Sequence, residues 1–209
     1  MQPFTEHQGV VVPLLRADVD TDAIIPSREL TRVSKSGLGK SLFAGWRYEL
    51  ENGRRGAPKP GFVLNRPEYA GASILLAGPN FGCGSSREHA VWALADYGFR
   101  VVLAPSFGSI FQRNCYKNGL LAVVQPEASV RAIVESTAVD PQRSRVRVDL
   151  ANRTIADGHG NRYDFAITDD VRTRLLEGLD EIGLTLRAYA SDIARYRARR
   201  DTERYWAAL

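Results

Sequence analysis

The stretch Ala72-Ser73-Ile74-Leu75-Leu76-Ala77, followed by Gly78-Pro79-Asn80-Phe81-Gly82-Cys83-Gly84-Ser85-Ser86-Arg87-Glu88-His89-Ala90, decides the fold. The first six residues carry no charge and are closed by Gly-Pro, which reads as a strand buried on both faces. A glycine-rich turn then leads into a helical pattern over 86–97. Arg100-Val101-Val102-Leu103-Ala104 repeats the strand pattern. A second helix over 107–117 ends at Asn118-Gly119, and Leu120-Leu121-Ala122-Val123-Val124 is a third strand. Strand, helix, strand, helix, strand at this spacing forms right-handed parallel βαβ units.

Toward the N-terminus, Val10-Val11-Val12-Pro13-Leu14-Leu15 reads as another strand. Asp18-Val19-Asp20-Thr21-Asp22-Ala23-Ile24-Ile25-Pro26 follows as an acidic loop entering a short buried segment. Residues 34–61 form a long connection rich in Gly, Pro, Lys and Arg, a kind of segment that is often functional or mobile. Toward the C-terminus, a short helix is expected over 130–135. Arg145-Val146-Arg147-Val148-Asp149 and Arg153-Thr154-Ile155 alternate as half-buried antiparallel strands do. Asp157-Gly158-His159-Gly160 is a tight turn, across which 163–167 pairs back. Two helices, near 170–178 and 188–200, close the chain. The expected class is α/β: a parallel βαβ core over about 8–126 with a small antiparallel addition and helices over about 127–209, all in one domain spanning 1–209.

The chain has 209 residues, 44% hydrophobic and 25% charged, which excludes disorder as its main state. A chain of this length buries roughly 70% of its unfolded surface and needs no staples. The first eight residues have neither a basic nor an apolar region of a secretory signal. No apolar run approaches the roughly 20 residues of a membrane span. Two cysteines, Cys83 and Cys115, provide neither a disulfide framework nor a CxxC metal site. A reducing cytoplasm is the expected compartment. The net charge of +4 suits either a nucleic-acid binder or a handler of acidic small molecules. Its densest cluster, Arg195, Arg197, Arg199 and Arg200, reads as a solvated helix end.

The turn at 82–87 carries the chemistry. In open α/β sheets ligands sit beyond the carboxyl ends of the strands. A helix N-terminus there offers unpaired N–H groups and a positive dipole end. Gly82 and Gly84 would let the backbone approach an anion, and Arg87 adds a fork matched to a carboxylate or phosphate. Ser85-Ser86-Arg87-Glu88 is equally a capping box, worth about 1 kcal/mol with no function attached. Both readings stand at this level. Arg87 sits where a dinucleotide fingerprint needs a glycine, and neither a P-loop nor Gly-x-Ser-x-Gly occurs. Cys83 and His89, six residues apart across a helix start, make a poor nucleophile and base pair; Cys83 reads as a packed residue.

The segment 80–90 resembles the signature of the 3-isopropylmalate dehydratase small-subunit family, itself similar to the swivelling fourth domain of aconitase. The likeness extends to Asp18-Val-Asp-Thr-Asp22-Ala-Ile-Ile-Pro26, Leu42-Phe43…Trp46-Arg47-Tyr48, Phe62-Val-Leu-Asn65 and Ala72-Ser-Ile-Leu-Leu76. It continues through Trp92-Ala-Leu…Asp96-Tyr-Gly98, Ala104-Pro-Ser-Phe107…Ile110-Phe111…Asn114 and Ile182-Gly-Leu-Thr-Leu186, and is looser over 126–181. The resemblance implies a swivelling β/β/α fold and a hydro-lyase of leucine biosynthesis. Such an enzyme interconverts 2- and 3-isopropylmalate by removing water and adding it back at the neighbouring carbon. It also implies that this chain binds no cofactor. A large partner subunit would hold a [4Fe–4S] cluster as Lewis acid, and this chain would cap its active site.

By the same resemblance, Ser85 is the base that takes the proton alpha to a carboxylate. Arg87 grips a substrate carboxylate, Ser86 contributes its backbone or hydroxyl, and Asp22 lines the site. Asp22 also fits an Asx turn before Ile24. Arg28, Glu29 and Leu30 correspond to the loop that discriminates the substrate's side group. Glu29 stands where relatives carry an aromatic residue, and Ala122 follows Gly-Leu-Leu where they carry proline. A charge beside an isopropyl group leaves a second substrate open: a smaller 2-hydroxy diacid such as citramalate or methylmalate. No interleaving of basic and exposed aromatic residues supports a nucleic-acid partner, and no membrane partner is expected.

Overall fold

The structure, a computed structural model, describes residues 1–30, 34–52, 54–204 and 206. The chain opens with β1 (Glu6–Gly9), β2 (Val11–Leu14) and a one-turn helix, α1 (Thr21–Ile24). The long connection holds α2 (Ala44–Arg47) and a hairpin of β3 (Tyr48–Glu51) and β4 (Arg54–Pro58). The middle is β5 (Ile74–Ala77), α3 (Glu88–Tyr97), β6 (Val101–Ala104), α4 (Ser109–Lys117), β7 (Leu121–Val124) and α5 (Glu127–Thr137). The last third is β8 (Val146–Asp149), β9 (Thr154–Ala156), β10 (Arg162–Asp164), α6 (Asp169–Glu177), α7 (Glu181–Ala188) and α8 (Ala190–Glu203).

The strands form two four-stranded sheets. One has the order β2-β5-β6-β7 with every pair parallel. The other has the order β1-β8-β9-β10 with every pair antiparallel. Both faces of the parallel sheet are covered, which is why its strands read as unbroken apolar runs. Val12, Leu75, Ala77, Val102 and Ala104 point into one core with Ala90, Val91, Leu94, Phe111 and Cys115 from α3 and α4. Their neighbours in the strands, Val11, Ile74, Leu76, Val101, Leu103 and Leu121, point the other way. There they meet Val130 and Ile133 of α5 and Val146, Val148 and Ile155 of the antiparallel sheet. The period of two along each strand therefore builds an antiparallel-sheet, parallel-sheet, helix arrangement, the expected β/β/α class. Each of these leucines and isoleucines, fully buried, contributes roughly 1.5–3 kcal/mol of transfer free energy.

The structure departs from the pattern expected of the sequence in four places. The antiparallel sheet is not only C-terminal: β1 pairs with β8, from Glu6 opposite Asp149 to Gly9 opposite Val146. The N-terminal segment thus serves two sheets, changing from one to the other at Val10. The helix expected over 130–135 runs from Glu127 to Thr137, beginning directly after Pro126, which pre-sets a helix-compatible φ. The strand expected over 163–167 is Arg162–Asp164. The two closing helices are three. Asp180 caps the unexpected α7 by accepting from the Gly183 amide at 2.7 Å. Neither α7 nor α8 has a buried residue; Ile182 is 69% exposed and Tyr189 57%.

Candidate active site

Three connections meet beyond the carboxyl ends of β2, β5 and β6. Backbone hydrogen bonds stitch them together past the strands. The Phe81 amide donates to the Ser106 carbonyl at 3.1 Å, and the Gly108 amide to the Phe81 carbonyl at 2.9 Å. The Gly82 amide donates to the Val19 carbonyl at 2.7 Å, and the Thr21 amide to the Cys83 carbonyl at 3.0 Å. Isolated parallel bridges at Asp20–Cys83 and Phe81–Phe107 continue the sheet pairing into the loops. Asn80 adds two ties, its amide to the Ser106 hydroxyl and its side-chain NH2 to Asp18, both at 2.8 Å.

Gly82 has φ +75°, and a Cβ there would lie 2.2 Å from Cγ of Phe111. Its need for glycine therefore comes from the Phe111 ring beneath it, and approach to an anion is not required to explain it. Phe81 is fully buried and meets Phe111 edge-on, with centroids 5.5 Å apart. Gly84 also has a left-handed backbone, φ +84°, and a Cβ there would lie 3.4 Å from Cβ of Asp20, an ordinary contact.

The capping box read from 85–88 does not form. The helix begins at Glu88, two residues later than expected, and Arg87 at its N-cap is extended and makes no side-chain cap bond. Glu88 instead accepts from the Asn118 side chain at 2.8 Å, on the α4–β7 connection. The Ser85 carbonyl accepts from the Thr21 hydroxyl at 3.0 Å and from the Arg87 amide at 2.9 Å. Ser85 and Ser86 are exposed, and among the described residues their hydroxyls have no hydrogen-bond partner. The two serines thus stand at the tip of the turn, with the first turn of the ten-residue α3 behind them.

Asp22 and Arg87 come together as an ion pair between α1 and the N-cap of α3. The same Asp22 oxygen, Oδ1, accepts from the Ser27 amide at 3.0 Å and the Ser27 hydroxyl at 2.8 Å. The Arg87 guanidinium, followed by Ser27, holds the Asp22 carboxyl below the usual carboxylate range. The Asx role weighed for Asp22 belongs to Asp20, which caps α1 by accepting from the Ala23 amide at 2.6 Å. Thr21 and Ser27 escaped the sequence reading. The hydroxyl spacing gives no hint of Thr21's partner, and nothing in the local pattern marks Ser27 as a partner of Asp22.

The loop 28–30 splits in direction. Arg28 is exposed. The Glu29 carboxylate accepts from the Ser41 hydroxyl at 2.8 Å and pairs with Arg28 at 3.7 Å. Leu30 packs against the hydrophobic core. The charge that looked out of place beside an isopropyl group is therefore engaged with Ser41.

Cys83 and His89 do not form a reactive pair. His89 packs its ring against Trp92, with centroids 4.7 Å apart. Burial, followed by the nearby Asp20 and Asp18, raises the Cys83 thiol pKa and keeps it protonated. Among the described residues no group of three or more His, Cys, Asp or Glu could hold a metal ion. A [4Fe–4S] cluster takes three or four thiolates, and this chain has two cysteines, one of them fully buried. Its residues do not fit such a cluster. Among the described residues no helix is long and apolar enough to cross a membrane.

Comparison with known proteins places this geometry. Residues 1–128 match the family described as the aconitase C-terminal domain. The chain is 54% identical over 206 residues to a 3-isopropylmalate dehydratase small subunit from Cupriavidus necator, covering 99% of this chain and 98% of that protein. It is 55% identical to the protein of the same name from Acidothermus cellulolyticus, over 96% of this chain and 95% of the relative. A crystal structure of 3-isopropylmalate dehydratase from Methanocaldococcus jannaschii superposes with a TM-score of 0.64 at 26% identity, covering 90% of this chain and 99% of that one. A β/β/α frame with its glycine turn at the sheet's carboxyl edge, together with identity of this extent, leaves one conclusion: the chain belongs to the 3-isopropylmalate dehydratase small-subunit family, within the wider aconitase C-terminal domain family.

Proposed function

We propose that the whole chain, 1–209, acts as one domain that completes the active site of a cytoplasmic hydro-lyase converting 2-isopropylmalate to 3-isopropylmalate in leucine biosynthesis. The observation that carries this reading is the tip of the turn: an exposed Ser85 hydroxyl, without a partner among the described residues, beside Arg87 and raised on a buried and stitched floor. Ser85 Oγ takes the proton from the carbon alpha to a carboxylate, and the hydroxyl leaves the neighbouring carbon as the double bond forms. Hydration then reverses both steps with the carbons exchanged: the hydroxyl joins the carbon that lost its proton, and Ser85 Oγ returns the proton to the neighbouring carbon and is an alkoxide again. A serine oxygen is a weak base in water. The positive end of α3 and the Arg87 charge stabilise the alkoxide, a kind of electrostatic support typically worth about 3–4 kcal/mol per donor.

Arg87 binds one substrate carboxylate, and Ser86 adds a further donor. The exposed Arg28 faces the choice of side group, with Leu30 anchoring the loop 28–30 to the core and Glu29 as its strut to Ser41. A large partner subunit carries a [4Fe–4S] cluster that supplies Lewis acidity at the departing hydroxyl. That partner also covers the exposed tip and excludes water from it.

Coexpression with a large subunit tests the proposal, with rates compared on 2-isopropylmalate and citramalate. The expected result is an inactive isolated chain and an active complex that prefers 2-isopropylmalate. Turnover by the isolated chain overturns the two-subunit reading. A preference for citramalate overturns the substrate.

A further inference from the structure

Asp22 is an odd neighbour for a dicarboxylate, because it carries the same charge as the ligand. Its contacts explain its presence. Oδ1 receives three hydrogen bonds, one from Arg87 Nη1 and two from Ser27, through the amide at 3.0 Å and the hydroxyl at 2.8 Å. Arg87 uses Nη1 in this contact. Among the described residues its Nε and Nη2 have no acceptor, and these two parallel donors form an edge that can take a carboxylate in a bidentate grip. Asp22 therefore holds one corner of the guanidinium and leaves that edge open.

A lone surface ion pair would not fix that edge. The Asp22 side chain is 55% exposed and that of Arg87 25%, and such pairs contribute little by themselves. The two bonds from Ser27 restrain the carboxylate itself. Ser27 is also the first residue of the one-turn 3-10 helix Ser27–Glu29. Its C-cap, Leu30, donates its amide back to the Ser27 carbonyl at 3.1 Å. One residue thus belongs both to the side-group loop and to the anchor of the carboxylate-binding arginine.

We infer that Ser27 is a positioning residue: through Asp22 it sets the angle at which Arg87 meets the substrate carboxylate, and it couples that grip to the loop 28–30. This inference rests on the role of Arg87 proposed above. Ser27 touches no reacting atom. Its loss weakens the grip equally in the ground state and the transition state, so it acts on KM and leaves kcat in place.

The test uses the assembled two-subunit enzyme and a double-mutant cycle. Ser27→Ala is expected to raise KM for 2-isopropylmalate roughly fivefold, the size of one net hydrogen bond, with kcat within about twofold. Ser27→Thr, which keeps the hydroxyl, restores KM. In an Arg87→Lys background, Ser27→Ala raises KM no further, because the fork it orients is gone. A merely structural role would instead lower kcat through loss of active enzyme, and Thr and Ala would not differ in KM. If Arg87→Lys raises KM and Ser27→Ala does not, the inference falls and the role of Arg87 survives. If Arg87→Lys leaves KM unchanged, the proposed role of Arg87 falls, and the inference with it.

Discussion

The two halves of the connection between β5 and α3 are built on opposite terms. In the first half, Phe81 and Gly82 are buried, and their backbone groups pair with Val19, Ser106 and Gly108. In the second half, Gly84, Ser85 and Ser86 are exposed, and the two hydroxyls have no partner among the described residues. A rigid floor and an uncommitted tip lie within a few residues of each other. The contrast teaches that fixing the turn and exposing its tip are separable here. Groups held by internal bonds set the position of the tip, and groups left without bonds remain available to a substrate.

The sharpest way to break the comparison is Ser85→Ala. The assembled enzyme is expected to lose activity by about 10²–10⁴-fold, the usual contribution of a positioned acid–base group. The urea midpoint of the chain should not move, because Ser85 caps nothing. Loss of the roughly 1 kcal/mol of a cap, with activity retained, would make the tip structural after all.

Gly82→Ala attacks the floor. The positive φ costs about 1–2 kcal/mol and the collision with Phe111 about 1–3 more. Urea denaturation should show a stability loss of that combined size. An unchanged midpoint would mean that the floor yields.

Thr21→Val probes the link between the halves. Thr21 is 2% exposed and its hydroxyl donates to the Ser85 carbonyl. Removing that donor should cost about 1 kcal/mol in the same measurement, since Ser85 keeps the Arg87 amide as a second donor.

Smaller effects lie at the rim. Asp22 has a carboxyl pKa held low in the folded chain, chiefly by Arg87. Its contribution is full above the unfolded value near pH 4 and is lost as pH falls through the lower folded value. Because the pair is exposed, the contribution is below about 1 kcal/mol. Stability curves of the chain and of Asp22→Asn should therefore converge under acid and separate slightly at neutral pH. A gap that widens as pH falls would contradict this assignment. The smallest effect is expected for Glu29→Gln, which should change the preference between 2-isopropylmalate and citramalate by less than about twofold, because a glutamine can still meet Ser41. A large change would return Glu29 to the substrate side.

Much of the fold was legible because its signals are local. Ile74, Leu75, Leu76 and Ala77 show no gap in apolarity, and burial on both faces is the only soluble arrangement that suits them. The alternation of Val146, Arg147 and Val148 gave a one-sided strand in the same way. α7 was missed because Ile182 and Leu186 are apolar yet face solvent, so no buried stripe marks the helix. At the site, Ser85 and Arg87 were legible as a turn entering a helix. The absence of the cap was not, since it depends on Asn118 drawing Glu88 away.

The sequence by itself determined the parallel β5-α3-β6-α4-β7 core, the glycine turn and the family, because residue period, turn chemistry and motif are carried by neighbours in the chain. Only the tertiary structure decided that Gly82 answers to Phe111, that Thr21 bonds to Ser85, and that Asp22 joins Ser27 to Arg87. Asp22 and Arg87 are 65 residues apart, and they meet because parallel pairing of β2 with β5 sets the ends of both strands side by side. No local pattern encodes such a meeting; it follows from the register of the sheet.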